Sequence, residues 1–138
     1  MKPSEVLTQV ANQVALASVT AKGAHDKLRR VKTPKDAIGK DRHFFVSITQ
    51  APIQSDFLAT NWRNMAVAVA VVYNDSPSVY DRCADDSEAI AERLELLSTN
   101  VSAVQEIMML GFNIDDGSLP GQVISEFQIQ LTYSKDIS

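Results

Sequence analysis

The side chains able to do chemistry in this 138-residue chain are few and scattered. His25 and His43 stand far apart, without the HExxH, CxxC or HxH spacing that brings metal ligands to one side of a helix or turn, so no metal site is expected. Cys83 is the lone cysteine and cannot staple its own chain. As a nucleophile it would need one of the histidines beside it, and a buried thiol is the simpler expectation. Asp115 and Asp116 could share a proton or a cation, yet the run Asp115-Asp116-Gly117-Ser118-Leu119-Pro120-Gly121 is also what a tight turn uses. The five glycines are scattered singly, so no loop cradles a phosphate and no cofactor is expected. Met108-Met109 reads as core filling. A small enzyme or ligand pocket near Cys83, His43 or Trp62 is therefore the minor reading, and no catalytic residue is assigned.

Charge is more informative than chemistry. Residues 27–42 hold Lys27, Arg29, Arg30, Lys32, Lys35, Lys40 and Arg42 against Asp36 and Asp41, a local charge of +5 in a chain whose net charge is −4. Residues 75–95 hold Asp75, Asp81, Asp85, Asp86, Glu88, Glu92 and Glu95 against Arg82 and Arg93, a local −5. Three readings compete for the basic segment: a solvated loop, a nucleic-acid contact, or a protein contact. Nucleic-acid binding wants stacking or base-reading groups beside the charge, and the nearest aromatics, Phe44 and Phe45, belong to a strand. The favoured reading joins Lys27, Arg29, Arg30, Lys32 and Lys35 of one copy to Asp81, Asp85, Asp86, Glu88 and Glu92 of the next. Such a contact uses two different patches and closes into a ring when the rotation permits.

The elements that must position these charges follow from periodicity. Val6, Val10, Val14 and Ala17 recur at helical spacing after Pro3, with Gly23 as a stop signal. Residues 24–42 lose periodicity and read as a long loop or arm. Phe44, Val46 and Ile48 alternate with Phe45, Ser47 and Thr49, a strand ending before Pro52. A packed loop with Ile53, Phe57, Leu58 and Trp62 follows. Val67, Val69, Val71 and Tyr73 then alternate with Ala66, Ala68 and Ala70, a strand for the middle of a sheet whose flat alanine face could seat a helix. Asp85 and Glu88 resemble a capping box opening a second helix with the stripe Ile90, Leu94, Leu97 and Val101. The run Ile107 to Ile114 is a third strand. In the fourth, Ser125, Phe127, Ile129, Leu131 and Tyr133 face one way and Glu126, Gln128, Gln130 and Thr132 the other.

The result is a single α+β domain over 1–138, of order α-β-β-α-β-β. About four strands form a mixed or antiparallel sheet, two helices pack on one face, and the other face is polar and nearly uncharged. A length of 138 residues is enough for one self-supporting core. The most apolar run, Met65 to Val72, is too short to span a bilayer, so no membrane is expected as a partner.

This layout resembles the tail terminator proteins of long-tailed bacteriophages. The likeness is of element order and length and covers nearly the whole chain. It runs from the helix at Pro3 through the strands Phe44 to Thr49 and Met65 to Tyr73, the loop Asn74 to Asp85 and the helix Asp86 to Thr99. It ends at the closing hairpin whose last strand is Gln122 to Tyr133. The resemblance implies a structural virion protein and not an enzyme: a homo-oligomeric, hexameric ring on the head-proximal end of the tail tube, assembled in the host cytoplasm. Its partners would be the tail tube protein and the neck or connector protein, with the sheath as a further neighbour, and genomic DNA would pass without specific binding. The alternatives are another head-tail connector, neck or tail-tube component, or, from a different class, a ligand-binding or nucleic-acid-binding accessory module.

Overall fold

The computed structural model describes residues 1–17, 28–56 and 59–135. The strongest alternation in the chain makes the middle of the sheet. Strand β3 (Ala59–Asn74) lies between β2 (His43–Asp56) and β5 (Gln122–Ser134), antiparallel to both, and β4 (Val104–Asp115) pairs antiparallel with the far side of β5. A two-residue strand, β1 (Arg29–Arg30), adds itself parallel to the start of β2. The domain is thus α+β, with a mixed five-stranded sheet in the order β1-β2-β3-β5-β4.

The two long helices, α1 (Pro3–Ala17) and α3 (Val79–Glu95), share one core with one face of that sheet. Val6, Val10 and Val14 of α1 and Val79, Cys83, Ile90 and Leu94 of α3 are buried with Phe44, Val67, Val69, Val71, Tyr73, Phe127, Ile129, Leu131 and Tyr133. The alanine face is the opposite one, which corrects the expected helix seat. Burial energy scales with apolar area, so the valine and aromatic face takes the helices. On that opposite face Ala66 and Ala68 are buried, paired across the strands with Gln130 and Gln128.

Three boundaries differ from expectation. Helix α3 opens at Val79, behind Ser78, and not at Asp85. Val79 and Cys83 prolong the buried stripe through Ile90 and Leu94 by one and a half turns, so Asp85 and Asp86 stand inside the helix and not at its cap. A bend at Leu96 then leads to the single turn α4 (Leu97–Asn100). Strand β2 runs through Pro52 to Asp56 as one arm of a hairpin. Pro52 sits where the register shifts between Gln50 and Ile53, on an outer strand whose missing N–H breaks no ladder. The described part of the basic segment is folded down and is not a free arm. Leu28 and Ala37 are buried, and β1 and the single-turn helix α2 (Pro34–Ala37) are formed within it. The expected helix stop at Gly23, the start of the expected arm and the expected packing of Phe57 and Leu58 fall outside the described residues, while Ile53, expected in a packed loop, lies exposed on β2.

Candidate assembly surface

The basic segment returns to the sheet through two left-handed residues, Gly39 at φ 81° and Arg42 at φ 55°. Glycine adopts this backbone freely; arginine does so at a cost on the order of 1 kcal/mol or more and must be held there. The hold is a buried fork. Arg42 Nε donates to Asp86 Oδ2 at 3.1 Å and its terminal nitrogen to Oδ1 at 2.8 Å, while Tyr73 Oη donates to the same Oδ2 at 2.8 Å. Burial, reinforced by the neighbouring Asp86 charge and this hydrogen bond, pushes the Tyr73 hydroxyl far above its usual pKa, so it stays a donor. One residue earlier, Asp41 accepts from Arg82 at 2.7 Å and from the Asn74 backbone N–H at 2.9 Å. Gln122 closes the joint by accepting from the Gly39 N–H and donating to the Lys40 carbonyl.

The basic and acidic segments therefore meet within one chain, at Arg42–Asp86 and Arg82–Asp41. This corrects one residue of the expected intersubunit set. Asp86 is buried in its own subunit, its carboxylate engaged by Arg42 and Tyr73, and is not presented to a neighbour. The other described members stand at the surface. Arg29, Arg30, Lys32 and Lys35 are exposed on one side, and Asp81, Asp85, Glu88 and Glu92 are exposed along α3. Lys27 lies outside the described residues.

The feature that sequence reading missed is the exposure of strand β4, whose presence it read. Met108 and Leu110 are each 50% exposed, Phe112 37% and Ile114 39%. Only Met109 of the methionine pair leans on the core, so the core-filling expectation is corrected for Met108. Phe112 meets Phe127 with ring centroids 5.5 Å apart, leaving its other side open. The signal was present as a run apolar on both faces, the same signal given by a buried strand. Only the strand order reveals that β4 is outermost.

The side chains able to do chemistry fall elsewhere. Cys83 is buried, and burial together with the Asp86 charge raises its pKa to about 11, against a smaller opposing effect of Arg82, so the thiol is protonated and inert. Asp115 accepts from the backbone N–H groups of Gly117 and Ser118 and from the Ser118 hydroxyl, which hold its carboxyl below the usual range; it builds the turn. His43 Nδ1 lies 2.8 Å from the Asp41 carbonyl, and His25 lies outside the described residues. Among the described residues no three His, Cys, Asp or Glu side chains are grouped to hold a metal ion. An open groove beside α1, lined by Ser4, Glu5, Thr8 and Ser102, is separate from Cys83, His43 and Trp62. No described helix is long and apolar enough to cross a membrane.

Comparison with family models and with curated proteins finds no match. Among solved structures, a crystal structure from Akkermansia muciniphila is similar over 97% of this chain at 11% identity and a TM-score of 0.47. This chain spans about half the length of that protein, 50% of which is covered.

Proposed function

We propose that this chain is a structural virion protein of the tail-terminator kind, which forms a hexameric ring, caps the tail tube and joins it to the neck. The observation that carries this reading is the two-faced sheet. One face is filled by α1 and α3; the other bears Glu126, Gln128, Gln130 and Thr132 over an alanine floor, and the turn after the short helix α2 reaches it at Gln122. Thr132 donates to Asn64 and Gln128 to Glu126 across this face, so its polar groups are ordered without a ligand. Turned inward in a ring, such a face is a polar wall with little charge. DNA would pass it without being gripped, since sequence-independent affinity for DNA comes from clustered positive charge.

Native mass spectrometry over a range of concentrations tests the ring, and electron microscopy of the protein mixed with tail tubes tests the cap. A closed hexamer seated on one end of the tubes is expected. A tight dimer at every concentration, or no binding to tube ends, would overturn the proposal.

A further inference from the structure

We infer that the ring is closed by strand pairing, with the outer strand β4 of one copy adding antiparallel to the open edge of β2 in the next; the inference rests on the ring reading and specifies its joint. Two edges of the sheet are open among the described residues. Strand β1 covers only His43 and Phe44 of β2, which leaves Phe45 to Ile53 without an outer neighbour. Strand β4 pairs on one side alone. Long edges are normally guarded by charge, proline or covering elements. Between Gln105 and Ile114 the one charged residue is Glu106, while Met108, Leu110, Phe112 and Ile114 are exposed. The open part of β2 likewise exposes Ile48 and Ile53.

The occupant is a second copy because the two edges match each other. β2, β3, β5 and β4 are antiparallel in succession, so β2 and β4 run in opposite directions. Two sheets set side by side with their helices on the same side therefore bring β4 antiparallel to β2, the pairing a continuous sheet requires. Charge agrees at the ends. Arg29, His43, Val72, Ile124 and Asp115 form one row across the sheet, basic at one edge and acidic at the other. An incoming β4 is stopped by β1 at Phe45, and its acidic end, Asp115 and Asp116, comes to Arg29 and Arg30 of the next copy. The two edges differ, so the joint is head-to-tail and can repeat until the ring closes.

The test uses two single variants of the full chain, Ile48→Lys and Leu110→Lys, each placing a charge on one exposed edge position. Each should raise the concentration needed for assembly roughly thirtyfold or more, the effect of losing an interface anchor. Mixed one to one, the two should form a heterodimer and nothing larger, because each retains the edge the other lacks. Circular dichroism and thermal unfolding check that both fold; should Leu110→Lys unfold, Met108→Lys replaces it. In the wild type, hydrogen exchange should show protection of the amides of Phe45–Gln50 and Gln105–Asn113 appearing on assembly. A ring that survives both variants, or forms without that protection, overturns the edge pairing while leaving the ring. Ile48→Lys dimerising alone would show a symmetric β4–β4 contact and also overturn it. A wild type monomeric at every concentration, with or without tail tubes, overturns ring and joint together.

Discussion

Asp41 and Arg42 are neighbours of opposite charge, and each meets its opposite on α3, one turn apart at Arg82 and Asp86. The two pairs are nonetheless different objects. The side chains of Arg42 and Asp86 are 10% and 12% exposed and joined by a two-pronged hydrogen bond with Tyr73 as a third member. Those of Arg82 and Asp41 are 31% and 38% exposed. Arg82 also lies over the Tyr73 ring, 5.5 Å from its centroid, so both pairs converge on one tyrosine. Equal formal charge at similar sequence spacing thus yields one interior joint and one surface clasp, and burial decides which is which. The interior pair confers order because removing one member strands the other in a dry site; the surface pair can rehydrate.

Removing Asp86 is the hardest test of that contrast. Asp86→Ala leaves the Arg42 guanidinium buried without its carboxylate. A loss of about 3–5 kcal/mol in urea unfolding is expected. A loss under about 1 kcal/mol would mean that water reaches Arg42, and the distinction between the pairs would collapse. Tyr73→Phe removes a single hydrogen bond to a charged acceptor and keeps the fork. It should cost about 2 kcal/mol, between the two pairs.

Asp41→Asn should cost less than about 1 kcal/mol near neutral pH, because the pair it breaks is partly solvated. Its pH dependence sharpens the comparison. Partial burial alone would raise the Asp41 pKa, but the hydrogen bond from Arg82, the Asn74 N–H and the charges of Arg82 and Arg42 together hold it below 3.8, the ordinary value. A carboxylate depressed on folding contributes stability that is complete above its unfolded pKa and is lost as pH falls through the folded one. The gap between wild type and Asp41→Asn should stay constant down to about pH 4 and close below it. A gap that instead widened on acidification would contradict the sign.

Much of this architecture was legible in the residues. The alternation of Val67, Val69, Val71 and Tyr73 and of Phe127, Ile129, Leu131 and Tyr133 announces two central strands, because period two with large residues on one side has no other stable use. Helix α1 was legible for the same reason at period 3.6. The start of α3 was not: Asp85 and Glu88 imitate a cap, and only contact with the sheet shows that Val79 and Cys83 are inside. Proline at position 52 suggested an end because its position on an outer strand is a property of the whole sheet. The complementary charge of the two segments was visible, but its division was not. Whether an aspartate faces a neighbour or its own arginine depends on which helix turn meets the sheet, and Asp86 differs from Asp85 by one residue, about 100° around the helix. The open edge of β4 was hidden because an apolar run reads alike at the centre and at the rim.

The smallest effect on folding is expected from the outermost charges. Lys32 and Lys35 are exposed, one just before and one within the turn that Thr33 stabilises by donating to Asp36 at 3.0 Å. Reversing both to glutamate should change monomer stability by no more than about 0.5 kcal/mol. In the proposed ring these lysines would guide the approach of an acidic neighbour, so the reversal should slow assembly at low salt and lose its effect as salt rises. Concentration-dependent light scattering at two ionic strengths reads this directly. The same measurement separates the two layers of the interface, for Leu110→Lys should block assembly at either salt concentration. A double reversal that assembles like wild type under both conditions would remove the basic segment from the interface and leave its charge a property of the folded subunit alone.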